Sequence, residues 1–114
     1  MKHPERTEDY LEHIVQAIDF IMSFTQETAS AAVLERDHKT QAAVIRNIEI
    51  IGEAATRVQR HAPDFVKAHP EIPWLHMRTM RNKVIHDYFD IDFDVVWATI
   101  KDDLPCSSSR LPPC

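Results

Sequence analysis

The sequence predicts an all-α fold, an antiparallel four-helix bundle with one or two extra short helices. Three observations carry that expectation. Apolar residues recur at three- and four-residue spacing through most of the 114 residues. Gly52 is the sole glycine, whereas a β-rich fold needs many tight turns. Pro63, Pro70, Pro73 and Pro105 fall between or after the periodic stretches, where they break helices rather than interrupt them. A chain of this length holds one core in one domain. We place that domain at 1–105 and read 106–114 as a flexible Ser/Pro-rich tail.

Each element is placed by its own residues. From Thr7, a suitable cap, Leu11, Ile14, Val15, Ile18, Ile21 and Met22 form an apolar stripe while Glu12, Gln16 and Asp19 fall opposite. "TQETASAAVLERDHK" breaks the pattern and leaves room for a short helical turn, with Asp37 a cap for the next long helix. Between about 38 and 60, Val44, Ile45, Ile48, Ile51, Ala55 and Val58 build a broad apolar face beside a polar stripe of Arg46, Glu49, Glu53 and Arg57. Gly52 in the middle of that helix costs about 1 kcal/mol relative to alanine. Another backbone crossing close by would explain it. "HAPDFVKAHPEIPW" holds one short helix and a turn, and Pro73 suits the first turn of a fourth main helix running toward His86 or Tyr88. Asp90 or Asp92 then caps a last helix carrying Phe93, Val96, Trp97, Ile100 and Leu104, stopped by Pro105.

Composition narrows the function. An apolar share of 44% with 27% charge is ordinary for a soluble globular protein. No apolar run approaches the roughly 18 residues of a membrane helix. "MKHPERTEDY" carries charges where a signal peptide needs an apolar stretch, so the expected location is cytoplasmic. A lone glycine excludes Walker loops, Rossmann fingerprints and the glycine-serine loops of nucleotidyltransferases. Cys106 and Cys114, both in the tail, form neither a disulfide framework nor a CxxC pair and read as free thiols. The other histidines, His3, His13, His38, His61, His69 and His76, lack metal-ligand spacing, so no metal and no cofactor is expected. The net charge of −5 argues against a surface coated with basic residues, yet Arg78, Arg81 and Lys83 against Asp87 give +2 within 74–88. Positive charge is concentrated there.

On a helix at 100° per residue, Met77, Met80 and Val84 share one side, while Arg78, Arg81, Asn82, Ile85 and His86 fan over roughly 140° of another. Cleavage of RNA by its own 2′-hydroxyl needs a group to take that proton, a donor to the leaving 5′-oxygen and positive hydrogen bonding to the phosphorane. Histidine transfers protons near neutral pH, and a guanidinium offers a planar fork to phosphate oxygens. Asn82, one turn before His86, would orient the ring or bind a phosphate oxygen, and Arg78 would assist in binding phosphate. The competing reading is a solvated helix face whose histidine interacts with the helix dipole.

Four ordered stretches add to this: "AVIRNIEIIGEAA" (43–55), "HPEIPW" (69–74), "MRNKVIHDYFDID" (80–92) and "VWATIKDDLP" (96–105). Together they resemble the HepT-like family of the HEPN superfamily of small helical ribonucleases, from about Arg6 to Pro105. The family pattern is Arg, a polar residue, three more residues, His, any residue, Tyr, and Arg81, Asn82, His86 and Tyr88 match it in place. The resemblance implies a HEPN-like bundle that cleaves RNA, tRNA or mRNA, without metal, using Arg81 and His86 as catalytic residues at a homodimer interface. It also implies a toxin paired with a minimal nucleotidyltransferase (MNT) antitoxin that transfers AMP to Tyr88. The polar "CSSSRLPPC" departs from the apolar continuation usual in relatives and predicts a shortened last helix or a frayed tail. A non-catalytic module that binds nucleotide or RNA, or docks a partner, is the alternative function.

Overall fold

The computed structural model describes residues 7–87 and 90–103, with the backbone alone at His86, Asp87, Asp90, Asp102 and Asp103. Six α-helices lie among the described residues: α1 (Thr7–Phe24), α2 (Ala31–Arg36), α3 (His38–His61), α4 (Pro63–Ala68), α5 (Trp74–Val84) and α6 (Phe93–Ala98). Two short strands, β1 (Ile85–Asp87) and β2 (Asp90–Ile91), sit between α5 and α6, and a π-helical turn, Thr99–Asp103, continues α6.

Local chemistry sets these boundaries. The Thr25 hydroxyl donates to the Ile21 carbonyl at 2.7 Å, answering one of the acceptors that α1 leaves open at its end. Ser30 caps α2 by accepting from Val33 N–H. Asp37 closes α2 and opens α3, accepting from the Thr40 N–H at 3.1 Å and the Thr40 hydroxyl at 2.6 Å. Pro63 occupies the first turn of α4, and Pro73 precedes α5. Of the two aspartates anticipated as the last cap, Asp92 serves, accepting from Val95 N–H, while Asp90 lies in β2.

The apolar stripes meet in one cluster. Ile14, Ile18 and Ile21 of α1, Val44, Ile48, Ile51 and Val58 of α3, Met77, Met80 and Val84 of α5 and Val96 of α6 are buried in it, joined by Leu34 and Ile72. Each such side chain contributes on the order of 1.5–3 kcal/mol. Helix α3 is the central element and packs on both α1 and α5. Tyr10 near the start of α1 stacks on His61 at the end of α3, with ring centroids 6.1 Å apart, so those two helices are antiparallel. The crossing of α3 and α5 is antiparallel as well. Gly52 lies against the backbone of Met77 and Arg78, while Glu49, earlier in α3, meets Arg81, later in α5.

The lone glycine inside α3 anticipates the crossing at Gly52. A Cβ built there would stand 3.3 Å from the Met77 carbonyl oxygen. Glycine therefore lets α5 approach to within backbone contact, which offsets its poor helix propensity.

One sequence expectation is corrected. The fourth main helix does not run on to His86 or Tyr88; it stops at Val84, and Ile85 is extended, with ψ of 104°. Ile85, Tyr88, Phe89 and Ile91 are residue types that suit strand, although the aspartates among them do not. The Asp92 N–H donates to the Val84 carbonyl at 2.8 Å, giving that carbonyl a partner outside the helix. Tyr88, Leu104, Pro105 and the tail with Cys106 and Cys114 lie outside the described residues.

Candidate active site

Helix α5 presents the candidate residues on a rigid support. Its first residue, Trp74, is buried, donates from Nε1 to the His69 carbonyl at 3.1 Å and meets the Phe65 ring edge-on. Met77, Met80 and Val84 bury the opposite face, which fixes the rotation of the helix. Arg78, Arg81 and Asn82 consequently stand exposed on the solvent side, as the sequence period anticipates.

Arg81 is not free. Its Nε donates to Glu49 Oε2 of α3 at 3.3 Å, with the two side chains 47% and 37% exposed. At that exposure the pair adds little stability. Its effect is orientation, because it engages the guanidinium through Nε, one edge of the donor fork. Arg78, by contrast, has no ion pair among the described residues. Arg78 and Arg81 line a groove of about 300 Å³ with Glu49, Gly52, Glu53 and Thr56.

His86 is reached differently from the way the helical wheel suggested. In the hairpin, Ile85 pairs with Ile91 and Asp87 with Asp90. Two steps on β1 therefore face one step on β2, and His86 is the extra residue. It occupies a β-bulge, a device that redirects a strand and recurs beside active sites. Asn82 and His86 are thus not one helical turn apart: the first lies in the last turn of α5 and the second in a bulged strand. The structure brings Arg78, Arg81 and Asn82 together on α5 and sets the backbone of His86 just beyond its end.

A second, larger cavity of about 600 Å³ lies on the other side of the α3 stripe, between α3 and α1. Arg46, Glu49, Ile50, Glu53, Ala54 and Arg57 line it from α3, and Tyr10 and His13 from α1. Arg57 Nε donates to Glu53 at 2.8 Å. The Glu53 carboxylate and then the Tyr10 hydroxyl hold the Arg57 pKa above its ordinary value. On the polar stripe of α3, residues three and four apart are placed to form surface ion pairs. Glu53 and Arg57 form one, but Glu49 turns instead to Arg81, and Arg46 has no ion pair among the described residues. This cavity escapes sequence reading because it exists only once α1 and α3 pack.

Other residues take plainer roles. His69 Nδ1 stands 3.0 Å from Glu71, and the hydrogen bond lowers the Glu71 pKa. Trp97 packs partly buried against the core, with the Lys101 ammonium 4.8 Å from its ring centroid. Among the described residues no three His, Cys, Asp or Glu side chains gather in a metal-binding arrangement, and no helix is long and apolar enough to cross a membrane.

Comparison with known proteins gives the chain a family. Residues 14–111 match the family described as ribonuclease HepT-like. A protein of Thermococcus cleftensis described as a probable ribonuclease HepT is 50% identical over 97 residues, covering 85% of this chain and 84% of its own length. A Methanocaldococcus jannaschii protein described as a candidate RNase is 37% identical over 85% of this chain and 74% of its own length. A similarly described protein of Caldanaerobacter subterraneus is 32% identical over 84% of this chain and 82% of its own length. No solved structure gives a significant match.

Proposed function

Since this chain belongs to the HepT-like ribonuclease family, we propose that it cleaves RNA phosphodiesters without a metal, using Arg81 and His86 at a site completed by a second copy. The observation that carries the reading is the joint placement of Arg78, Arg81 and Asn82 on the exposed side of α5, next to the bulged strand of His86.

The chemistry is a transesterification. One His86 imidazole accepts the proton of a ribose 2′-hydroxyl, and that oxygen attacks the adjacent phosphorus. The phosphorus–O5′ bond breaks, and the departing oxygen takes a proton from a second imidazole, leaving a 2′,3′-cyclic phosphate and a 5′-hydroxyl. Each chain supplies one histidine at the motif, so two facing copies furnish base and acid. Arg81 lays its fork on the non-bridging oxygens, where negative charge builds in the phosphorane. Asn82 and Arg78 hold the phosphate in place.

Regulation belongs to the same reading. Tyr88, two residues beyond His86, is the acceptor of AMP from an MNT-type antitoxin, and the added bulk and negative charge exclude RNA. The protein then acts in the cytoplasm as the toxin of such a pair, on tRNA or mRNA. A binding-only module is the second reading, favoured by the single motif histidine in each chain, which is fewer than acid and base catalysis together require. Incubating purified protein with tRNA and mRNA in EDTA, beside His86→Ala and Arg81→Ala, separates them. Cleavage lost in both variants supports the assignment; wild-type rates in both show the roles to be wrong. RNA bound by every variant and cut by none points to the module.

A further inference from the structure

We propose that the α1–α3 cavity is a second RNA-binding subsite, where Arg46 and Arg57 hold phosphates of the strand flanking the cleaved bond. This rests on the ribonuclease reading and extends it to residues outside the Arg81–His86 motif.

The two grooves adjoin. Glu49 and Glu53 line both, forming a ridge along α3 with Arg78 and Arg81 on one side and Tyr10, His13, Arg46 and Arg57 around the other. The four arginines outnumber the two carboxylates, so this surface carries +2 in a chain whose net charge is −5. A polyanion is drawn to such a local excess. Each carboxylate also has a partner. Glu49 holds Arg81 and Glu53 holds Arg57, in both cases through Nε. An arginine engaged at Nε keeps the outer end of its guanidinium for a phosphate.

The ligand is better matched by a strand than by a single nucleotide. Arg46 and Arg57 are spread over roughly 16 Å of α3 at 1.5 Å per residue, farther than neighbouring phosphates stand apart, which suits phosphates two or three nucleotides apart on one strand. Between them Ile50 and Ala54 give an apolar floor, and Tyr10 and His13 add rings that meet edge to face at 6.4 Å. Unpaired bases stack on aromatic and imidazole rings, and the exposed His13 offers such a ring at the rim of the cavity, backed by the buried Tyr10. The cavity volume of about 600 Å³ is ample for a nucleotide. Arg57 is also preorganised, since Glu53 holds its Nε before any ligand arrives.

The test measures binding of a short, single-stranded 2′-O-methyl RNA, which lacks the attacking hydroxyl, by fluorescence anisotropy over a salt series. Arg46→Ala and Arg57→Ala should each raise Kd several-fold and flatten the salt dependence by about 0.7 in slope. Arg46→Lys should restore most of the slope. On cleavable RNA the loss should fall on KM with kcat nearly unchanged, and circular dichroism should confirm that each variant is folded. Wild-type Kd and slope in both alanine variants would overturn the subsite while leaving the ribonuclease intact. Failure of the wild type to bind or cut any RNA would overturn both.

Discussion

Arg81 on α5 donates to Glu49 on α3 at 3.3 Å, one turn along α3 from the glycine that lets the two helices touch. The contact ties a motif residue to a helix that lies outside the motif. It makes Glu49 a positioning residue for the guanidinium. Glu49→Ala should lower kcat about tenfold, equivalent to about 1.4 kcal/mol of transition-state stabilisation, and Glu49→Gln should recover part of it. Thermal stability should change by less than about 1 kcal/mol, because the pair is exposed. Unchanged kcat in Glu49→Ala would remove the positioning role.

Gly52 sets the spacing of the same crossing. In Gly52→Ala the gain of about 1 kcal/mol in helix propensity is opposed by a methyl group 3.3 Å from the Met77 carbonyl oxygen. Stability should change little, but the displacement of Arg78 and Arg81 should reduce cleavage. Gly52→Val adds more bulk against backbone and should destabilise by about 1–3 kcal/mol. Melting curves and rates on the two variants check this; a fully active, equally stable Gly52→Val would refute the close-packed crossing.

The Asp37 cap gives a pH signature. Hydrogen bonds from the Thr40 hydroxyl and then the Thr40 N–H hold its carboxyl below the ordinary value of 3.8. The folded pKa is depressed, so the stabilisation is complete above the unfolded value and disappears as pH falls through the folded one. Asp37→Asn, which can still cap α3, should leave the melting temperature near neutral pH almost unaltered and weaken its decline below about pH 4. An identical acid profile in wild type and variant would show that the cap does not titrate this way.

Regulation predicts a mass change. Co-expression with an MNT-type nucleotidyltransferase should add one or more AMP units to the intact chain, and Tyr88→Phe should abolish the addition. An unmodified wild type under those conditions would remove the antitoxin from the proposal and leave the nuclease standing.

Much of this architecture is legible in the residues, and the exceptions have physical causes. The 3.6-residue period places Met77, Met80 and Val84 inward and Arg78, Arg81 and Asn82 outward, because a helix converts spacing directly into direction. The isolated glycine marks a helix crossing since little else repays its propensity. The end of α5 is harder to read. "KVIHDY" suits helix and strand alike, and the decision falls to the Val84–Asp92 hydrogen bond and the pairing with β2, both of which depend on residues that come later in the chain. Partners across helices are harder still. Nothing local pairs Glu49 with Arg81, which is 32 positions away, or brings Tyr10 beside Arg57. Those relations arise from packing, and they supply the positioning residue and the second groove.

The most direct measurement is the end group left on the RNA. Wild-type protein in EDTA should leave 2′,3′-cyclic phosphate and 5′-hydroxyl termini and should spare a substrate with a 2′-deoxy nucleotide at the cut site. His86→Ala and Arg81→Ala should each fall by at least about a hundredfold. Products ending in 3′-hydroxyl and 5′-phosphate, or undiminished cutting by the His86→Ala protein, would contradict an imidazole and a guanidinium acting on the phosphodiester.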